Sequence, residues 1–396
     1  MGRLQQTHQL KQEGHLSLIS KRKDSVAVVG VGNTPYGALH GHDATTLGIW
    51  ALRNAAEDAG IELQDIDGLI CQRLSDYQKF VQITNTTPKL VTALPGAGRM
   101  TGGTIQIAVQ AILSGMLDTV AVVYGNDGKT AGARYGGKGD NYGTGADQTW
   151  FPYGMTSPGA VHSMLYQRHA HLYGTKNEQL GAVAMAFRKH AMLNPNAVMR
   201  KPMSMEDYMS SKFIAEPLRL LDYCLINDGG VAMILTSGER AKDMKTKPVY
   251  IRGVTQLSRL AQGELPEDFG FDAMQRASKV VHEMAEVDHQ DVDALMIYDN
   301  FTPIVLFTLE GFGYCPRGEG GRFVETGVLE LGGRYPTNTN GGHLSESYMQ
   351  GWNLQAEAVR QVRGELGDRQ VPNAQIVQYL QGGPLCTSII YGRDPS

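Results

Sequence analysis

The order of strand-like and helix-like runs predicts an α/β protein with a parallel sheet, and an internal repeat predicts that the unit is built twice. The repeat is short but ordered. Asp65-Ile-Asp-Gly-Leu-Ile70 and Asp291-Val-Asp-Ala-Leu-Met296 agree at five of six positions when Ile/Val and Gly/Ala interchange. A third observation separates the copies: Gly128 to Asp243 opens Gly- and Tyr-rich, then turns helical and Met-rich. Most of it reads as an inserted loop domain or lid.

In chain order, residues 1–25 form a polar N-terminal arm whose only basic run is Lys21-Arg22-Lys23. Val26-Ala-Val-Val-Gly30 is a short apolar run before the turn Asn33-Thr-Pro35, a buried-strand signal. From Thr45 to Ala59, Leu47, Ala51, Ala55 and Ala59 recur at helical spacing. The Asp65 motif is a strand, Gly103 to Gly115 a helix with Ile105, Val109 and Ile112 on one face, and Thr119 to Tyr124 a strand. The second half begins again with a strand at Val249 to Gly253, a helix at Ala273 to Val287 and the Asp291 motif. A helix ending at Arg360 to Gly364 and the strand Ala374 to Gln378 echo Ala108 to Tyr124. The expected organisation is an arm (1–25), a first half (26–127 with part of 221–243), an insertion (128–220) and a second half (244–396).

Composition narrows the function. Of 396 residues, 42% are hydrophobic and 19% charged, with a net charge of −4, which fits a globular protein without the basic stripe of a nucleic-acid binder. Cys71, Cys224, Cys315 and Cys386 lie far apart, with no C-x-x-C pair and no secretory leader, as expected in a reducing cytoplasm and against a zinc site made by this chain alone. No run approaches the ~18 apolar residues of a membrane helix. Gly30-Val-Gly32 lacks the third glycine of a dinucleotide loop, and Gly136-Gly-Lys-Gly139 lacks the Lys-Ser/Thr ending of a phosphate loop. His162, His169 and His171 read as surface or interface residues of a helix rather than metal ligands.

Several local blocks, taken together and in order, resemble the thiolase superfamily from Ser25 to Arg393. They are Ala111-Ile-Leu-Ser-Gly115 through Gly125, Asn227-Asp-Gly-Gly-Val-Ala232, Asn340-Gly-Gly342 and Gly382-Gly383. The resemblance implies two βαβαβαββ halves in a five-layer αβαβα stack, with the insertion between them. The chain departs from the thiolase pattern where the chemistry sits. A thiolase carries its acyl group on a Cys thiolate that a His activates. Counting back from Ser114-Gly115, the nucleophile position falls at Gly98, or at Arg99 with a one-residue slip. The histidine of the G-H-P motif falls at Tyr348, the asparagine of N-E-A-F-A at Tyr298, and the second cysteine at Leu380.

Two tyrosines in place of that set change the reaction class, because a phenol is a poor acyl carrier but a competent acid or base. The pattern resembles the steroid side-chain aldolases of the lipid-transfer-protein branch. The blocks that carry this are Tyr223 to Gly230, Tyr298-Asp-Asn-Phe-Thr-Pro303, Leu309 to Pro316 and Asn338 to Tyr348. It implies retro-aldol cleavage of a β-hydroxyacyl-CoA, with Tyr298 and Tyr348 catalytic; His343, directly after Gly342, is a further candidate, to orient a substrate carbonyl or hydroxyl. Asp299 and Glu346 are the candidates to tune a phenol. It also implies no cofactor beyond the CoA of the substrate, a homodimer through the first half's edge, and a small OB-fold and zinc-ribbon partner completing a heterotetramer. The alternatives are a non-catalytic acyl-CoA-binding scaffold and a cysteine-independent acyltransferase. The bland reading of both tyrosines is a buried ring with a satisfied hydroxyl.

Overall fold

A computed structural model describes residues 24–74, 76–94, 98–134, 154–155, 157–259 and 267–393, with the backbone alone at Arg99. Up to residue 23 the expected arm lies outside the described residues, as does the Gly- and Tyr-rich stretch 135–153.

The first half runs β1 (Val26–Asn33), α1 (Ala44–Ala59), β2 (Gly68–Gln72), α2 (Tyr77–Thr84), β3 (Leu90–Leu94), α3 (Thr101–Leu113) and β4 (Thr119–Asp127). The insertion contributes α4 (Pro158–Tyr173) and α5 (Asn177–Met192), after which β5 (Asp228–Ser237) returns to the first half. The second half runs β6 (Val249–Ser258), α6 (Phe271–Ala285), β7 (Ala294–Ile297), α7 (Thr302–Gly311), α8 (Trp352–Arg363), β8 (Ile376–Gln381) and β9 (Leu385–Gly392).

Nine strands form one sheet in the order β3-β2-β4-β5-β1-β6-β9-β8-β7. The halves join where β1 and β6 pair antiparallel through Ala27–Tyr250 and Val28–Val249. Each half has the same internal order, and the place that β3 takes beside β2 is taken beside β7 by a single parallel bridge, Leu295–Thr337. The repeated motif does the same work twice. Asp67, just before β2, accepts hydrogen bonds from the backbone N–H groups of Asp118 and Thr119 at the start of β4. Asp293, just before β7, accepts from Gln375 and Ile376 at the start of β8. Each copy ties two parallel neighbours together at their first residues.

Five layers follow from the side-chain alternation of the strands. On β4, Val120, Val122 and Tyr124 point into one apolar cluster while Ala121 and Val123 point into another. The outer cluster of the first half packs under α1 through Ala51, Leu52 and Ala55. That approach is close. A Cβ on Gly30 or Gly32 would overlap the main-chain oxygens of Ala55 or Ala51, so these strand glycines serve helix packing. The middle layer is α3 and α8, whose Ile105, Val109, Leu354 and Val359 share one cluster with strands of both halves. The outer layer of the second half is α6.

The insertion is part of that last layer's core. Leu165, Leu180 and Phe187 of α4 and α5 are buried in one cluster with Met274, Ile304 and Leu306. His169 departs from the surface or interface placement expected of it. It is fully buried, with Nε2 3.1 Å from both carboxylate oxygens of Glu310 and Nδ1 2.8 Å from Thr175 Oγ1. The physical reason is that α4 lies on α7, where the buried Glu310 needs donors. His171 is exposed and His162 half-buried. No described helix is long and apolar enough to cross a membrane.

Candidate active site

Strand β7 delivers Tyr298 to the carboxyl end of the sheet, where its N–H donates to Leu380 O at 2.8 Å. Asn338 fixes that strand end from the facing segment. Its Oδ1 accepts from Ile297 N at 2.7 Å and its Nδ2 donates to Ile297 O at 2.8 Å. From there the chain passes through the Asn340-Gly-Gly turn and a short helical turn, Gly342–Ser345, then returns to α8 past Tyr348. Gly351 closes the return in left-handed backbone (φ 89°), with Tyr298 and Tyr379 packed where a Cβ would stand.

The two phenols meet. Tyr298 Oη and Tyr348 Oη lie 2.8 Å apart, with the rings set edge to face at 71°. Tyr298 is buried and Tyr348 half-exposed, so Tyr348 is the one nearer solvent. Burial pushes the Tyr298 phenol well above its usual value, and the neighbouring Tyr348 adds to the shift.

His343 packs edge-on against both rings, with centroids 4.8 Å from Tyr298 and 5.1 Å from Tyr348. Its Nε2 accepts the Gly351 N–H at 3.0 Å, which leaves the proton on Nδ1, a buried atom 3.3 Å from Asp299 Oδ1 that makes no hydrogen bond. Burial holds the imidazole far below its usual value, at about 3. His343 is therefore neutral near physiological pH and packs directly against both phenols. Asp299 is fully buried and accepts the backbone N–H groups of His343 and Leu344 at 2.9 and 3.2 Å. Burial raises its carboxyl well above the carboxylate range, and those N–H donors pull the other way.

Gly98 lies beneath the pair. A Cβ there would fall on the Tyr298 hydroxyl and lie 2.7 Å from its Cζ. A side chain at Gly98 and the Tyr298 phenol exclude one another. The Arg99 side chain is outside the described residues. Glu346 is buried two residues before Tyr348, and its carboxylate hydrogen-bonds to the side-chain amides of Asn194, Asn340 and Asn353.

Sequence reasoning missed several neighbours. Cys224 is buried close enough to Tyr298 to raise its phenol further, and Asn227 Oδ1 accepts the Tyr348 N–H at 3.0 Å. Both stand in the Tyr223 to Gly230 block, which signalled family rather than site. Trp352 Nε1 donates to the buried Gln72 Oε1 at 2.7 Å and links the two halves behind the site. Nothing local in the sequence marks that pair.

Fold and site together define a thiolase-like enzyme with two facing phenols. Residues 259–391 match the family described as Thiolase C-terminal domain-like. The chain is 36% identical over 386 residues to a steroid side-chain-cleaving aldolase of Thermomonospora curvata, covering 93% of this chain and 98% of that one. It is also 36% identical over 362 residues to a 17-hydroxy-3-oxo-4-pregnene-20-carboxyl-CoA lyase of Mycobacterium tuberculosis, covering 85% and 91%. The solved Ltp2-ChsH2(DUF35) aldolase superposes with a TM-score of 0.86 at 32% identity, over 94% of this chain and 99% of that one. The chain belongs to the thiolase superfamily, in the branch of the steroid side-chain-cleaving aldolases, and is a thiolase-like carbon–carbon lyase.

Proposed function

We propose that the protein cleaves a β-hydroxyacyl-CoA by retro-aldol chemistry, with Tyr298 and Tyr348 carrying the proton and no cysteine nucleophile. The products are a ketone or aldehyde and a shorter acyl-CoA. The observation that carries this reading is the 2.8 Å contact between the phenol oxygens.

The reaction breaks the Cα–Cβ bond. The β-hydroxyl loses its proton and becomes the carbonyl, the bond's electron pair passes to Cα as a thioester enolate, and Cα then takes a proton. One proton is lost and one gained. A linked pair of phenols can do both: one oxygen accepts the hydroxyl proton as it passes its own to its partner, and the partner delivers a proton to Cα. A relay of this kind needs no lasting phenolate, which suits a site where burial raises the Tyr298 phenol. His343 and Asp299 hold the rings from behind.

The Mycobacterium tuberculosis relative is named for a substrate whose 17-hydroxyl lies β to the thioester carbonyl carbon borne on carbon 20. We extend to this chain a bulky polycyclic acyl group, with CoA entering only as part of the substrate. The Ltp2-ChsH2(DUF35) aldolase names a DUF35 component. A small partner of that kind, with an OB-fold and zinc ribbon, would complete a heterotetramer around a cytoplasmic homodimer. The edge strand β3 supports the homodimer: Leu90, Val91 and Leu94 are half-exposed at the end of the sheet, with Ile83 and Ile107 exposed nearby in sequence.

Replacing Tyr298 or Tyr348 by Phe tests the mechanism. Each variant should lose at least ~10²-fold in turnover, the span expected of a lost acid–base group, with little change in melting temperature. The double variant should be far less than multiplicatively worse. Both single variants turning over at the parental rate would overturn the mechanism.

A further inference from the structure

The turn that carries Tyr348 is held by a knot of buried amides around one carboxylate. Glu346 Oε1 accepts from Asn194 Nδ2 at 2.8 Å, while Oε2 accepts from Asn353 Nδ2 at 2.8 Å and also from Asn340 Nδ2. All four residues are buried. The donors come from three places: just past α5 in the insertion, the Asn340-Gly-Gly turn, and the first turn of α8.

The main chain is gripped at the same point. Val198 N donates to Glu346 O at 3.1 Å and Met199 N to Ser345 O at 2.9 Å, so the insertion runs alongside the turn. Asn353 Nδ2 also donates to Ser347 O at 2.9 Å, and Asn227 donates to Ser347 Oγ. The next residue is Tyr348, whose N–H donates to Asn227 Oδ1.

We propose that Glu346 is a positioning residue, whose ionised carboxylate draws the insertion, the glycine turn and α8 together and so sets the Tyr348 phenol at hydrogen-bond distance from Tyr298. This rests on the phenol-pair reading given above. Three inward-pointing N–H donors need an acceptor for each, and an ionised carboxylate has only acceptor sites. A protonated carboxyl, or a glutamine, sets a donor of its own among them. The knot is therefore strongest in the ionised state, where neither oxygen carries a proton that must be turned away from the three donors.

The charged and titratable groups facing Glu346 are few. Glu357 on α8 repels its charge, although Arg369 sits 3.0 Å from the Glu357 carboxylate and offsets part of it. Tyr36, after β1, senses Glu346, Glu357 and Arg360 together. Among the described residues no cation makes an ion pair with Glu346. Burial and Glu357 push its carboxyl up to about 8. The sign follows from a value raised above that of the unfolded chain. Its stabilising contribution is full below the usual carboxylate range and is lost as pH rises through about 8. Alignment of Tyr348 is gained only at the upper end of that interval, as the native carboxyl ionises near 8. Stability and turnover run in opposite directions.

The test is kcat, KM and melting temperature from pH 6.5 to 9 for the full chain, with its partner if it needs one, as wild type, Glu346→Gln and Asn194→Ala. Wild-type kcat should rise about 10- to 30-fold, as the ionised fraction of a group titrating near 8 does, with KM nearly constant. Glu346→Gln should stay at the low-pH level throughout and lose the fall in melting temperature across that range. Asn194→Ala removes one donor to the carboxylate, together with its 2.9 Å bond to Asn340 O, but leaves Glu346 itself in place, so its rise should move to higher pH. This second variant decides the matter if Glu346→Gln fails to fold. A Glu346→Gln profile that matches wild type, or an Asn194→Ala rise at the wild-type pH, overturns the proposal. If that happens while the Phe variants of the tyrosines are impaired, only the positioning role is lost. Phe variants that turn over normally would instead remove the phenol reading itself.

Discussion

Gly98 and Tyr298 share one volume, the glycine on the approach to α3 lacking the Cβ whose place the phenol hydroxyl fills. The first prediction follows. Gly98→Ala should displace the phenol and break its 2.8 Å contact with Tyr348. Turnover should fall ~10²-fold or more, as when an acid–base group is removed. Wild-type turnover in Gly98→Ala would show that the Tyr298 hydroxyl need not stay where it is.

Thiol chemistry gives the second. All four cysteines are buried, and burial pushes Cys71 and Cys386 up to about 12 and Cys315 up as well. Thiolate is the reactive form, so none of these three supplies it near neutral pH. Incubation with a labelled acyl-CoA followed by intact-mass measurement should show no covalent acyl adduct. An adduct on any cysteine would contradict the proposed mechanism.

The third concerns the insertion. Glu310 on α7 holds His169 of α4 and also accepts the backbone N–H groups of Gly318 and Gly320 at 2.8 and 2.9 Å. Both side chains are fully buried. Glu310→Gln turns one acceptor into a donor and should cost about 3 kcal/mol, the scale seen when one member of a buried pair is lost. Thermal unfolding reads this directly. An unchanged melting temperature would mean that the pair contributes little to docking α4.

The fourth tests the sheet edge. Val91 sits in β3, the last strand of the sheet, and is half-exposed. Val91→Lys should turn a homodimer into a monomer, because a charge along an unpaired edge blocks strand addition. Light scattering after size exclusion measures the mass. A wild-type monomer, or a dimeric variant, would place the contact elsewhere or nowhere.

Much of the architecture was legible because it is local. The apolar run of β1, the helical spacing of Leu47, Ala51 and Ala55, and the twin motifs at Asp65 and Asp291 each announce themselves within a few residues. The phenols were legible through the blocks around Tyr298 and Tyr348 that resemble a known family. What brings them within reach of one another is not local. Asn227, Asn338 and Asn353 come from separate parts of the chain, and an asparagine whose amide is buried looks in sequence like one in a turn. His169 was misplaced for the same reason. Its helix shows no strong apolar face, and its partner Glu310 is 141 residues away. That His343 packs edge-on against both phenols depends on the turn after Gly342, which no spacing rule encodes.

Helices α3 and α8 have one further consequence. The cluster between them takes side chains from the strands of both halves, so neither half owns a complete interior. Severed near residue 244, each fragment would leave the inner face of its sheet open to water, and the two should regain structure only by finding one another.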